Sequence, residues 1–142
     1  MPFLCRRITT EECVPLRAMV LRPGLPLDAA RYSGEERNVH FGVFEGADLI
    51  STVTAHPETG FGVPGAWRIR GMASHPAWQG KGAGGMVLEA LLAWGRAERI
   101  PLFWCNARER AIPFYLRHGF TVESEIFDIP GIGPHKVMKR AP

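Results

Sequence analysis

The stretch Gln79-Gly80-Lys81-Gly82-Ala83-Gly84-Gly85 places four glycines within six residues, and a helix-like run over residues 86–99 follows at once. Glycine has no Cβ, so such a loop turns sharply and directs successive backbone N–H groups at one point. The helix behind it adds its unpaired first-turn N–H groups and the positive end of its dipole. Together they predict a seat for a phosphate or pyrophosphate. The P-loop pattern fails, because Gly82 rather than Ser or Thr follows Lys81. The dinucleotide pattern G-x-G-x-x-G is met by Gly80, Gly82 and Gly85. Its context is wrong: the preceding His75-Pro76-Ala77-Trp78 is not strand, and no second βαβ half follows.

The rest of the chain is compatible with one such site in one domain. Its 142 residues suffice for a proper core and predict a single unit over 1–142. With 46% hydrophobic and 22% charged residues the composition is that of a globular protein rather than a disordered one. A net charge of +3 suits a polyanionic ligand, but basic residues occur only in pairs such as Arg6-Arg7 and Lys139-Arg140, so nucleic acid is not expected. Cys5, Cys13 and Cys105 lie far apart and the five histidines are scattered, which predicts neither a disulfide framework nor a metal site. No apolar run approaches the ~20 residues of a membrane span, and the start of the chain does not read as a signal peptide. The expectation is a cytoplasmic protein with no membrane partner.

Local signals predict an α/β chain with a mixed sheet. A strand over 2–8 leads to a helix opened by Thr9-Thr10-Glu11-Glu12. Val14, Leu16, Met19, Val20 and Leu21 supply its apolar face, and Arg22-Pro23-Gly24 stops it. After a polar loop over 26–38, strands over 40–44 and 49–56 flank a hairpin turn, Glu45-Gly46-Ala47-Asp48. Residues 67–74 alternate as a strand. Trp67, Ile69 and Gly71 fall on one face, and Arg68, Arg70 and Met72 on the other. Gly71 within it signals a bulge or a close backbone approach. The helix after the glycine loop is apolar at Val87, Leu88, Leu91, Leu92 and Trp94, with Arg96 and Arg99 near its C-terminal end. A short strand over 102–106, a helix over 109–118 stopped by Gly119, a strand over 120–128, a turn over 130–134 and a last strand over 135–139 complete the chain. The order is an antiparallel opening, one β–α–β crossover and a closing hairpin.

Three segments together resemble the GNAT superfamily of acetyltransferases. Arg68-Ile69-Arg70-Gly71-Met72-Ala73 is similar to that family's central strand, and Gln79, Gly82 and Gly84 match its pyrophosphate-loop pattern [R/Q]-x-x-G-x-[G/A]. Residues 109–120, Glu-Arg-Ala-Ile-Pro-Phe-Tyr-Leu-Arg-His-Gly-Phe, resemble its "ERA..FY...GF" segment. The resemblance implies a mostly antiparallel sheet splayed at an acyl-CoA cleft and flanked by helices. It implies acetyl-CoA as co-substrate, with pantetheine along the backbone of Met72, Ala73 and Ser74. The pyrophosphate would lie on the N–H groups of Gln79, Gly80, Gly82, Ala83, Gly84 and Gly85, with Lys81 adding charge. Ala111 and Phe114 would pack against cofactor or core.

The implied chemistry is direct transfer of acetyl to a primary amine. A backbone N–H near Met72 would polarise the thioester carbonyl. Tyr115 matches the family's tyrosine acid, and its reference pKa of about 10 lies near that of a thiol leaving group. Arg108 stands where many members have asparagine, so Asn106, two residues earlier, is the substitute expected to bond pantetheine. For the base, His135 is preferred because the closing hairpin borders the acceptor site and histidine titrates near neutrality. His40, His56, Glu35 and Glu36 are weaker candidates. Cys105 reads as a small buried residue rather than a nucleophile.

Two loops are expected to hold the acceptor, 22–38 and 59–67, with Tyr32, Phe61, Trp67, Glu35, Glu36 and Glu58 in or beside them. The acids would suit a cationic amine on a small molecule or peptide. Phe127, Ile129 and Ile132 offer an apolar edge for a possible homodimer. The competing class is a non-catalytic acyl-CoA-binding or regulatory domain on the same fold.

Overall fold

The computed structural model describes residues 2–32 and 34–142, with the Glu35 side chain left outside that description. The strands are β1 (Leu4–Ile8), β2 (Val39–Glu45), β3 (Asp48–Pro57), β4 (Trp67–Ser74), β5 (Phe103–Arg108), β6 (Thr121–Val122), β7 (Phe127–Ile129) and β8 (Gly133–Arg140). The helices are α1 (Thr10–Leu21), α2 (Ala83–Ala97) and α3 (Ile112–Arg117). The strands form one mixed α/β sheet in the order β1-β2-β3-β4-β5-β8-β6, with β7 also on β8. All pairings are antiparallel except β4–β5, which the crossover through α2 makes parallel.

Helix α1 begins where its sequence predicts. Thr9 accepts from the Glu12 N–H at 3.1 Å while Glu12 accepts from the Thr9 N–H at 3.0 Å, a reciprocal capping box. Its buried face differs from the expected one. Cys13, Val14, Leu16, Arg17 and Ala18 are buried and Met19 is 45% exposed. Arg17 is turned inward because polar partners wait there: its guanidinium donates to the Ala30 carbonyl at 2.8 Å and to Thr54 Oγ1 at 2.7 Å.

Helix α2 starts three residues earlier than the apolar run indicates, so Ala83, Gly84 and Gly85 form its first turn. Val87, Leu88, Leu91 and Leu92 are fully buried against β2 and β3, each contributing roughly 1.5–3 kcal/mol. Ile50 to Ala55 are buried without interruption, since α1 and α2 cover opposite faces of β3.

The expected strand over 120–128 is broken. Val122 faces Met138 and Phe127 faces His135, so residues 123–126 lie opposite only Lys136 and Val137. The four-against-two mismatch forces the chain off the ladder, and Ser124 Oγ takes the Val137 N–H at 2.8 Å instead. Among the described residues no helix is long and apolar enough to cross a membrane.

Candidate active site

The site is made by two departures from a regular sheet. In β4, Gly71 has φ +64°, and the register slips so that Gly71 and Met72 both lie opposite Val53. This bulge reverses the phase of the strand. Arg70 opposite Thr54 stays on the α1 face, whereas Met72 and Ser74 turn to the α2 face. Met72 therefore does not share a face with Arg68 and Arg70, as plain alternation predicts. Its methyl lies 3.6 Å from where a Gly84 Cβ would be, and Ser74 Oγ lies at 3.4 Å.

The second departure is between β4 and β5. They pair only at Trp67–Phe103 and Arg68–Trp104, and then diverge. β5 instead keeps full register with β8, from Phe103–Arg140 to Arg108–His135. The opened strands bound a cleft of about 470 Å³. Ala107 and His135 lie on its far side, and the N-terminal turn of α2 lies at one end.

The glycine loop is formed as the sequence predicts. Gly80 and Gly82 have φ +76° and +90°, with nothing within 4 Å of where a Cβ would stand. Gly82 is the left-handed N-cap of α2 and carries no side-chain cap, so first-turn N–H groups face outward. Gly84 and Gln79 line the cleft, and Gln79 Nε2 donates to the Ser74 carbonyl at 3.3 Å. Gly80, Lys81, Gly82, Ala83 and Gly85 lie beyond its lining, on the adjoining loop and helix start. Lys81 is exposed.

Met72, Ala73, Ser74, Asn106, Ala111, Phe114, Tyr115 and His135 all line the same cleft. The chain thus brings together residues 72–74, 106, 111, 114, 115 and 135. Tyr115 is 4% exposed and interacts with the buried Cys105. Burial raises Tyr115 well above its ordinary value, and Cys105 is pushed by burial to about 12. Both are neutral donors at physiological pH, and Cys105 is a poor nucleophile. His135 is buried, and its Nδ1 donates to the Gly133 carbonyl at 2.7 Å. A carbonyl only accepts, so Nδ1 carries a proton, and in the neutral ring Nε2 is then the atom with the lone pair. β5 continues to Arg108, so Asn106 and Arg108 share a face opposite that of Cys105 and Ala107.

Other candidates lie elsewhere. His40 is buried between Thr10 Oγ1 at 2.9 Å and Thr54 Oγ1 at 2.8 Å, a structural bridge. His56 is held low first by burial and sits 3.7 Å from Glu58. Glu36 is exposed. The 59–67 loop does not border the cleft. It follows the end of β3 at the closed end of the β4–β5 wedge. There Gly60 packs on Trp104 and Phe61 lies under Lys139 at 4.6 Å. Trp67 packs edge-on to Trp94 at 5.0 Å. Of the 22–38 loop, Arg22 and Tyr32 do line the cleft. So do Ile129 and Ile132 from the closing hairpin.

Sequence reading missed the arginines. Arg22, Arg68, Arg70, Arg108 and Arg110 line the cleft, and among the described residues no Asp or Glu does. Glu58 is 3.5 Å from Arg68, outside the lining. The available signal was the Arg68/Arg70 spacing on one strand face, reinforced by Arg108.

Comparison with known proteins agrees with this architecture. The model of the acetyltransferase (GNAT) family matches residues 7–120. An uncharacterized N-acetyltransferase of Bacillus subtilis, YitI, is 31% identical over 137 residues, covering 94% of this chain and 92% of its own. Among solved structures, an IAA acetyltransferase from Bacillus cereus superposes with a TM-score of 0.76 at 17% identity, covering 99% of this chain and all of its own. An aminoglycoside 6′-N-acetyltransferase solved with coenzyme A superposes with a TM-score of 0.77 at 9% identity, covering 97% and 96%. The chain belongs to the acetyltransferase (GNAT) family.

Proposed function

We propose that the protein is an acetyl-CoA-dependent N-acetyltransferase that moves acetyl directly to a primary amine. The observation that carries this reading is the divergence of β4 from β5 beyond Arg68 and Trp104, opposite the Gly71 bulge and open to the start of α2. Three features fit the co-substrate. The freed edge of β4 offers backbone groups at Met72 to Ser74. Gly80 and Gly82 leave space where side chains would stand. The first turn of α2 offers N–H groups for phosphate. The coenzyme A complex of the aminoglycoside enzyme supports the same assignment.

When bound, acetyl-CoA supplies an acetyl group activated as a thioester. Transfer forms an N–C bond, breaks the C–S bond, takes one proton from the amine and gives one to sulfur. Tyr115 is the group that gives the proton. Burial weakens Tyr115 as an acid, and burial acts on a thiol in the same direction, as it does on Cys105. His135 Nε2 takes the amine's proton, with Nδ1 held by Gly133. The Met72 N–H is the oxyanion donor. Asn106 contributes an amide to the cleft wall opposite Tyr115. Direct transfer needs no acyl-cysteine, consistent with the unreactive Cys105.

The test is turnover. Purified protein, acetyl-CoA and a panel of primary amines should release one free CoA thiol per N-acetyl product of about 42 Da added mass. Acetyl-CoA binding without product from any amine would favour a non-catalytic acyl-CoA-binding domain.

A further inference from the structure

The cleft has two chemically different walls. One carries no charged side chain at Met72, Ser74 and Gly84. The other, on the α1 face, is guanidinium. The chain carries 17 Lys and Arg against 14 Asp and Glu, so it is only weakly basic overall. Five of those cations nevertheless line this one cleft, and among the described residues no carboxylate lines it with them. Arg22, Arg70, Arg108 and Arg110 form no ion pair among the described residues, and only Arg68 has Glu58 within 4 Å.

Arg70, at the centre of the β4 edge, is held in place. Tyr32 lies between two guanidiniums, with Arg17 at 4.1 Å and Arg70 at 4.2 Å from its ring centroid. Gly71 allows this stack: a Cβ there would come within 3.0 Å of the Tyr32 hydroxyl and of Arg17 Nε. Arg17 is itself anchored by Ala30 and Thr54. Burial, and next the repulsion of Arg68, push Arg70 below the usual guanidinium range. Burial, then Arg110 and Arg22, do the same to Arg108. Partly buried like charges in one cavity are costly until an anion joins them.

We propose that the acceptor is a small anionic amine, whose carboxylate or phosphate is bound by Arg70 and Arg108 with Arg22 and Arg110 around it. The identification rests on the acetyltransferase reading above and narrows its acceptor. It replaces the expectation of a cationic amine, because the acids on which that rested lie outside the cleft lining or, for Glu35, outside the described side chains. The cleft volume and the adjoining chamber of about 380 Å³, shared through Arg22, Arg108 and Ile132, suit a small molecule. The phosphates of the co-substrate have a separate place at the start of α2, across the strand from Arg70.

The experiment compares matched acceptors at saturating acetyl-CoA. Glutamate and O-phosphoethanolamine give the carboxylate and phosphate arms, glutamine amide and ethanolamine the neutral controls, uncharged apart from the reacting amine, and spermidine the polycationic one. Binding of each to free and CoA-loaded protein is measured by calorimetry in parallel. One or both anionic arms should exceed their neutral controls by about tenfold or more in kcat/KM and in affinity. Arg70→Gln and Arg108→Gln should each remove most of that preference through KM, Arg70→Lys should recover part of it, and the acetyl-CoA Kd should stay within about twofold. The proposal is overturned if neutral or cationic amines are preferred, or if the preference survives both substitutions. It is equally overturned if the substitutions weaken acetyl-CoA instead, or if neither anion binds in either state. Failure of acetyl-CoA itself to bind would sink the acetyltransferase reading, and the calorimetry of the anions alone would still judge this one.

Discussion

The two walls of the cleft present positive charge by different means. On the α2 wall, glycines clear side chains away so that backbone N–H groups and a helix end do the work. On the α1 wall, long side chains reach in from distant parts of the chain, at positions 22, 68, 70, 108 and 110, and Arg70 among them is braced by Tyr32, which also stacks on the buried Arg17. Strand β4 belongs to both, because the Gly71 bulge sends Arg70 to one wall and Met72 to the other. Backbone recognition is local in sequence and tolerates many side chains nearby. Side-chain recognition is assembled by the fold and changes whenever one arginine changes. In the proposed reaction the first wall would take the fixed co-substrate and the second a particular acceptor.

The sharpest separation of chemistry from binding is expected at Tyr115. Tyr115→Phe should lower kcat by about 10²–10⁴-fold, while acetyl-CoA and anion affinities stay near wild type. Full activity in that variant would remove Tyr115 as the acid. Next in size is Gly71→Val, which acts on both walls together. A β-branched residue at φ +64° is strained, and its Cβ would crowd Tyr32 and Arg17. Chemical denaturation should register a loss of about 1–3 kcal/mol, with weaker binding of both acetyl-CoA and the anionic acceptor. Unchanged affinities would mean that the bulge does not organise the walls.

The smallest expected effect is on alkaline stability. Cys105 is raised in the folded state to about 12 from an ordinary 9.0. Its contribution is full below pH 9 and is lost as pH rises toward 12, because the unfolded chain releases that proton first. Melting temperatures should fall over about pH 9–11, and Cys105→Ala should lessen the fall. Tyr115, also raised, would keep part of it. An identical pH profile in the variant would contradict the buried-thiol assignment.

The α2 wall was legible in the sequence because its determinants are contiguous. Four glycines before an apolar helical run have few other physical uses, and Thr9 with Glu12 marks α1 in the same local way. Gly71 was recognisable as a bulge, but its consequence for Met72 was not. A one-residue slip reverses every later face, and only the partner register on β3 reveals it. The arginine wall escaped because each arginine alone resembles a solvated surface residue. Their convergence depends on how β4, β5 and the end of α1 meet. The misplaced 59–67 loop has the same origin. Alternation defines the faces of β4, but not which of its ends is pinned to β5.

The most direct test of acetyl-CoA use at this cleft is thermal melting of wild type and Gly82→Glu with acetyl-CoA, CoA, NAD or ATP in excess. A ligand at about 100 times its Kd adds roughly 2.7 kcal/mol, a rise of roughly 5–10 °C for a domain of this size. Wild type should rise with acetyl-CoA and CoA alone. Gly82→Glu should show no rise, because it places a negative side chain on a left-handed N-cap at φ +90°. No rise in wild type, a rise with NAD instead, or an undiminished rise in Gly82→Glu would contradict the assignment of the glycine loop.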